Sequence, residues 1–131
     1  MSPGPWNDAR ARLLVAGFGV PIEWPNEPFV QPDAAPWLSI ETVGDVDMPI
    51  EIGGGGWMEE GRLFVHVMVP AFSGSDAARV LAKQVADTFR GIGPNNTVYT
   101  GASIGAGERA DEQGTLWRIT VVLDWRYQDH A

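Results

Sequence analysis

The sequence predicts an α+β domain: a mostly antiparallel or mixed sheet of four to five strands, one long helix over about residues 74–90 packed on one face, and a short N-terminal helix. Three observations point there. Between Ser73 and Phe89, the side chains Ala77, Val80, Leu81, Val85 and Phe89 recur at three- and four-residue spacings, as on one face of a helix. From Trp117 to Tyr127, the residues Trp117, Ile119, Val121, Leu123, Trp125 and Tyr127 project to one side and Arg118, Thr120, Asp124 and Arg126 to the other, with Val122 the exception. The inferred order helix, β, β, β, α, β, β lacks the regular βα alternation of a parallel sheet. Slipping the last strand by one residue would expose its large apolar side chains, at roughly 1.5–3 kcal/mol each. That strand fixes the register of the sheet.

At the start of the chain, Asn7 or Asp8 can cap a helix from about Ala9 to Ala16, with Leu13, Leu14 and Phe18 on its apolar side, Arg10 and Arg12 facing away, and Gly17 as its stop. A brief extended piece around Val20 to Trp24 follows. Pro25, Pro28, Pro32 and Pro36 then forbid a helix before Trp37, and Trp24 is expected to anchor this rigid connection. Trp37 to Val43 alternates like a half-buried strand. Met48–Ile52 and Leu63–Val69 read as two arms of a hairpin, because four glycines and the pair Glu59 and Glu60 lie between them. In the second arm Leu63, Val65, Val67 and Val69 share one face and Phe64, His66 and Met68 the other, which suggests a central strand covered on both sides. Ser73 and Asp76 resemble a capping box for the long helix, with Gly91 as its stop. After the turn "GPNN" comes a strand over Thr97–Ile104, then the polar connector "GAGERADEQG".

With 131 residues, 44% of them apolar and six tryptophans, the chain is sized for one domain over residues 1–131 with an ordered core of about 8–127. Nine Lys and Arg against 17 Asp and Glu give a formal charge of −8, which opposes phosphate backbones and anionic lipid. Nucleic-acid binding is therefore not expected as the main role, although an acidic wall suits a channel through which DNA slides without sticking. The absence of cysteine excludes disulfides and thiolate chemistry. Met1 to Trp6 lacks the basic and apolar regions of a signal peptide, and the longest apolar run, Leu13 to Val20, is broken by two glycines. No membrane span and synthesis in the cytosol are the expectations.

The glycines Gly53, Gly54, Gly55 and Gly56 raise the possibility of a phosphate loop. Such a loop leads into a helix N-terminus and, in its Walker form, carries Lys then Ser or Thr. Here Trp57, Met58, Glu59 and Glu60 follow, then a strand, so the glycines read as a deformable hairpin tip. The scattered glycines of "GASIGAG" at 101–107 precede a polar connector and carry no stronger signal. His66, alone on a strand with no nucleophile motif beside it, reads as a core or interface residue. Glu59 with Glu60, or Asp45 with Asp47, lack convergent partners for a metal. No catalytic residue, cofactor site or metal site is expected. Trp57 and Met58 are the large side chains least explained by a core, so the hairpin tip, Gly53 to Glu60, is the expected interaction site. Deleting Gly54–Glu60 and re-closing the hairpin is expected to preserve the fold and abolish assembly.

Three blocks carry a family likeness: "IEWPNEPFVQPDAAPWLSIETV", with Asn26 and Phe29 ahead of a proline and an aromatic-led strand; "GRLFVHVMVPAFSGSDAARVLAKQVADTFRG", with its strand-to-helix junction; and "GTLWRITVVLDWRYQ". Over roughly residues 8–127 the chain resembles the tail terminator-like proteins of long-tailed bacteriophages and prophages. The resemblance implies a structural virion protein, assembled in the bacterial host cytoplasm and placed at the head–tail junction. It implies a homo-oligomeric ring, a hexamer, that caps the tail tube, ends its polymerisation and joins the tail to the head connector. Its partners would then be the major tail tube protein and the head–tail connector protein, with DNA passing through the lumen without specific binding. A neighbouring head-closure or neck role, and a small enzyme or ligand-binding protein using a pocket beneath the long helix near His66, are the alternatives.

Overall fold

The computed structural model describes residues 1–50, 55–91 and 96–130. Two helices, α1 (Pro3–Ala16) and α2 (Asp76–Thr88), pack on one face of a sheet built from β1 (Ile22–Glu23), β2 (Trp37–Pro49), β3 (Gly56–Pro70), β4 (Thr97–Ile104), β5 (Glu108–Arg109) and β6 (Leu116–His130). The strand order is β1-β2-β3-β6-β4, with β5 also paired to β6. Only β1 and β2 run parallel, so the sheet is mixed and, with six strands, larger than the four to five expected.

The alternation in β3 and β6 decides the core. Leu63, Val65, Val67 and Val69 pair with Leu123, Val121, Ile119 and Trp117, so over these residues one face of both strands is apolar. Leu38 and Ile40 of β2 extend that face, and Ala9, Leu13, Ala78, Leu81, Ala82, Val85 and Phe89 close over it from the helices. Trp125 is almost fully buried, as its position in the alternation requires. Trp24 packs edge-on against Trp6 at 6.0 Å with Arg10 over its ring, which anchors the proline-rich connection to α1.

Several local expectations are corrected. No single helix is long: α1 has 14 residues and α2 has 13, against a forecast of a short first helix and a second over about 74–90. Pro3 and Pro5 sit in the first turn of α1, where proline is tolerated, so the helix starts at Pro3 and not after Asn7 or Asp8. Gly17, at φ 63°, does end it. Asp8 lies buried inside α1, and Arg12 turns inward to it at 2.8 Å. The same guanidinium donates to the carbonyls of Thr88, Arg90 and Gly91, closing the C-terminal end of α2. Ser73 makes no capping box; its hydroxyl donates to the Pro70 carbonyl, and Ser75 is the N-cap residue of α2. Leu14, Ala77 and Val80, assigned to apolar helix faces, are exposed.

The hairpin also differs. Trp37–Val43 and Met48 onwards are one strand, β2, whose pairing with β3 shifts register between Val43 and Asp45, and a bulge there explains why the alternation breaks in the sequence. Its partner strand starts at Gly56, not near Leu63. The connector after β4 contains β5. Gly107 before it, at φ 102°, lies so close to the Trp117 ring that a Cβ would stand 2.0 Å from it, so only glycine passes there.

Candidate functional site

The hairpin residues singled out in the sequence do not form one surface. Gly53 and Gly54 lie outside the described residues. Gly55 is exposed in a bend, and Gly56 opens β3 opposite His130. Because strand side chains alternate, Trp57 and Glu59 project on the helix side, whereas Met58 and Glu60 project on the helix-free side. Trp57 is 44% exposed beyond the end of α1. Met58 pairs with Met48, itself exposed, and Ile50 and Val46 nearby are exposed too. Glu60 is held by Arg126 at 3.1 Å. Glu59 is buried: it accepts hydrogen bonds from the Ser2 amide (2.7 Å) and the Ser2 hydroxyl (2.5 Å), with the Met1 ammonium at 3.6 Å. Glu59 is therefore an anchor for the start of α1. Deleting Gly54–Glu60 would remove that anchor together with the hairpin tip, so this excision does not test the tip alone. The glycines lead into a strand, which leaves no helix N-terminus for a phosphate.

His66 stands on the helix-free face, so the expected pocket beneath a helix near His66 is not where this side chain points. Its Nε2 lies 2.7 Å from Glu41 Oε2 and its Nδ1 2.8 Å from Thr120 Oγ1, an arrangement that ties the three central strands together. A carboxylate–imidazole–hydroxyl line is also the wiring of a general base, but here it lies on a sheet face, and His66 does not line the five best-formed clefts among the described residues. Cross-strand ion pairs flank it: Arg62 with Asp124, Arg126 with Glu60 and Arg118 with Glu108. Among the described residues, no group of three or more His, Asp or Glu converges as a metal site.

A feature passed over in the sequence lies at the opposite end of β3, about 45 Å from Gly56 at strand rise. In the turn joining β3 to α2, Phe72 is fully exposed and has φ 63°. Left-handed backbone at a large L-residue costs about 1–2 kcal/mol, so folding alone gives no reason for an aromatic there. The turn is pinned by the Ala71 amide on the Thr115 carbonyl and by Ser73 on Pro70. Beside it opens an apolar cleft of about 420 Å³ lined by Pro70, Ala71, Phe72, Leu116, Trp117 and Arg109, among others. The sequence signal was Phe72 itself, an aromatic set in the turn "PAFSGS" where no core periodicity calls for one.

The fold and the exposed apolar side chains Trp57, Met48 and Phe72 define a class, a small α+β protein with apolar surface of the kind that contacts other chains. The particular family follows from sequence. The profile of a family described as phage tail terminator protein matches residues 8–125, and the chain belongs to that family of structural tail proteins. No curated protein matches it. Two solved structures share its fold: one whose designation carries no function (20% identity, TM-score 0.66, covering 100% of this chain and 99% of that one), and a chain of the virion of a native gene transfer agent particle (20% identity, TM-score 0.60, covering 95% and 92%). Among the described residues, no helix is long and apolar enough to cross a membrane.

Proposed function

We propose that this chain forms a ring that caps the tail tube, ends its polymerisation and joins the tail to the head connector, acting by binding and not by catalysis. The match to the tail terminator family over residues 8–125 carries the reading. Likeness in fold to a chain from a virion particle supports it. So do two sheet edges open among the described residues: β2 beyond its short pairing with β1, and the outer side of β4. Rows of unpaired backbone groups suit side-by-side association of copies. The acidic charge of −8 suits a lumen that DNA crosses without adhering. Trp57, Met48 and Ile50 at the hairpin end supply apolar area for contact with a neighbouring ring or protomer.

The decisive experiment adds purified protein to tail tubes growing from purified tube protein. A terminator stops elongation at a substoichiometric ratio to tube subunits, and tube lengths unchanged by the protein would overturn the reading. Native mass measurement of the same preparation counts the copies in the ring.

A further inference from the structure

We propose that the cross-strand pair Met48 and Met58 is an oxidation site, at which a hydroperoxide turns the exposed apolar end of the β2–β3 hairpin into a polar surface. The chain has four methionines and no cysteine, so thioethers are its only sulfur groups. They are not equally placed. Met68 is 7% exposed, and Met1 packs against the core. Met48 is 40% exposed, and Met58, half-buried, lies directly across from it on the helix-free side. Residues opposite each other on two strands have Cβ atoms about 4.5–5.5 Å apart, so the two side chains share one patch. Val46, two residues before Met48 and 59% exposed, continues it.

The chemistry is one oxygen transfer. A sulfur lone pair attacks the peroxide, the S–O bond forms as the O–O bond breaks, and the departing hydroxide takes up the proton of the transferred hydroxyl. Sulfur is oxidised by two electrons and hydrogen peroxide is reduced to water. The product, methionine sulfoxide, is polar where the thioether was apolar, and reductases specific for its two epimers reverse the step.

Position decides what the change does. A sulfoxide at Met68 would enter a packed environment, whereas Met48 and Met58 lie on the helix-free side, outside the buried face formed by Leu63, Val65, Val67 and Val69. Oxidation there removes apolar surface and leaves the core intact. Met48 belongs to the apolar area assigned above to contact with a neighbouring chain, so oxidation weakens that contact. This consequence for assembly rests on the ring reading; the site itself does not.

The test exposes the whole protein to graded hydrogen peroxide and maps each added oxygen by peptide mass spectrometry. Met48 and Met58 gain oxygen before Met68, and the thermal midpoint is unchanged at the dose that completes both. The oxidised protein then leaves a hydrophobic-interaction column earlier, methionine sulfoxide reductases restore the retention, and Met48→Leu/Met58→Leu keeps its retention after the same dose. Oxidation of Met68 alongside Met48, a lowered midpoint, retention unaltered by peroxide, or equal loss of retention in the leucine variant overturns the proposal. Native mass spectra of the same samples read the consequence for assembly: fewer rings after oxidation, recovered by the reductases, are expected, and undiminished rings remove the patch from the contact. A chain that forms no ring before treatment overturns the ring reading and leaves the oxidation site standing.

Discussion

At the scale of single residues, two side chains are held against local preference, for opposite reasons. Tyr99 is partly buried, with its hydroxyl enclosed near Asp8 and its ring against Phe89 at 4.7 Å, and burial first, then the Asp8 charge, pushes its hydroxyl pKa up from 10. Its folded value lies above its unfolded one, so this contribution is complete below pH 10 and is lost as pH climbs above it, because the unfolded chain releases the proton first. Tyr99→Phe should show a shallower loss of stability on the alkaline side of pH 10, measured by urea unfolding across that range. Phe72 is the reverse case, exposed and strained. Replacing it with asparagine, which tolerates the left-handed region, should leave the isolated protein as stable or raise it by about 1 kcal/mol, read as a higher thermal midpoint. A fall in the midpoint would mean that Phe72 serves the fold.

At the scale of elements, α1 is held by polar contacts to the sheet at its start and to the end of α2 further along. Its start rests on Glu59, and Gly4 lies against Tyr127 where a Cβ would come within 2.7 Å of the ring. Its third turn reaches the end of α2 through Arg12, whose partner Asp8 has no exposed side-chain surface. Glu59→Gln should cost about 2 kcal/mol, since hydrogen bonds to a buried charged group are lost or weakened. Amide hydrogen exchange should then speed up at the first turn of α1 and leave β6 unchanged. The sequence pattern foretold both helices and the Gly17 stop of the first, but misplaced the start of α1 and both ends of α2. Asp8 reads as a cap because the helix start is placed too late, and Arg12 as a solvent-facing cation because the carbonyls it reaches lie on a helix end 76 or more residues away.

At the scale of the whole molecule, exposed apolar side chains include Trp57, Met48 and Ile50 at one end of the long strands and Phe72 at the other. For the proposed ring, Trp57→Ser at one end should leave the monomer folded but lower the fraction of ring in native mass spectra by about tenfold at fixed concentration, as expected for loss of one large contact residue. Rings at the wild-type level would assign Trp57 to its own hairpin. The candidate surface was half legible in the sequence. Trp57 stood out as unneeded by the core, yet the alternation that places Glu59 underneath α1 and Glu60 against Arg126 became assignable only once β3 was seen to begin at Gly56.

The sequence by itself determined the class of the domain, the register of β6, the buried face of β3 and the family, because each rests on local periodicity or on blocks of residues read in order. Tertiary structure alone decided which polar residues are buried, that β2 is one bulged strand, and that Arg109 and Phe72 line one cleft. Those depend on contacts between distant segments. Their energies are set by what lies across the sheet or at the far helix end, which no local pattern records.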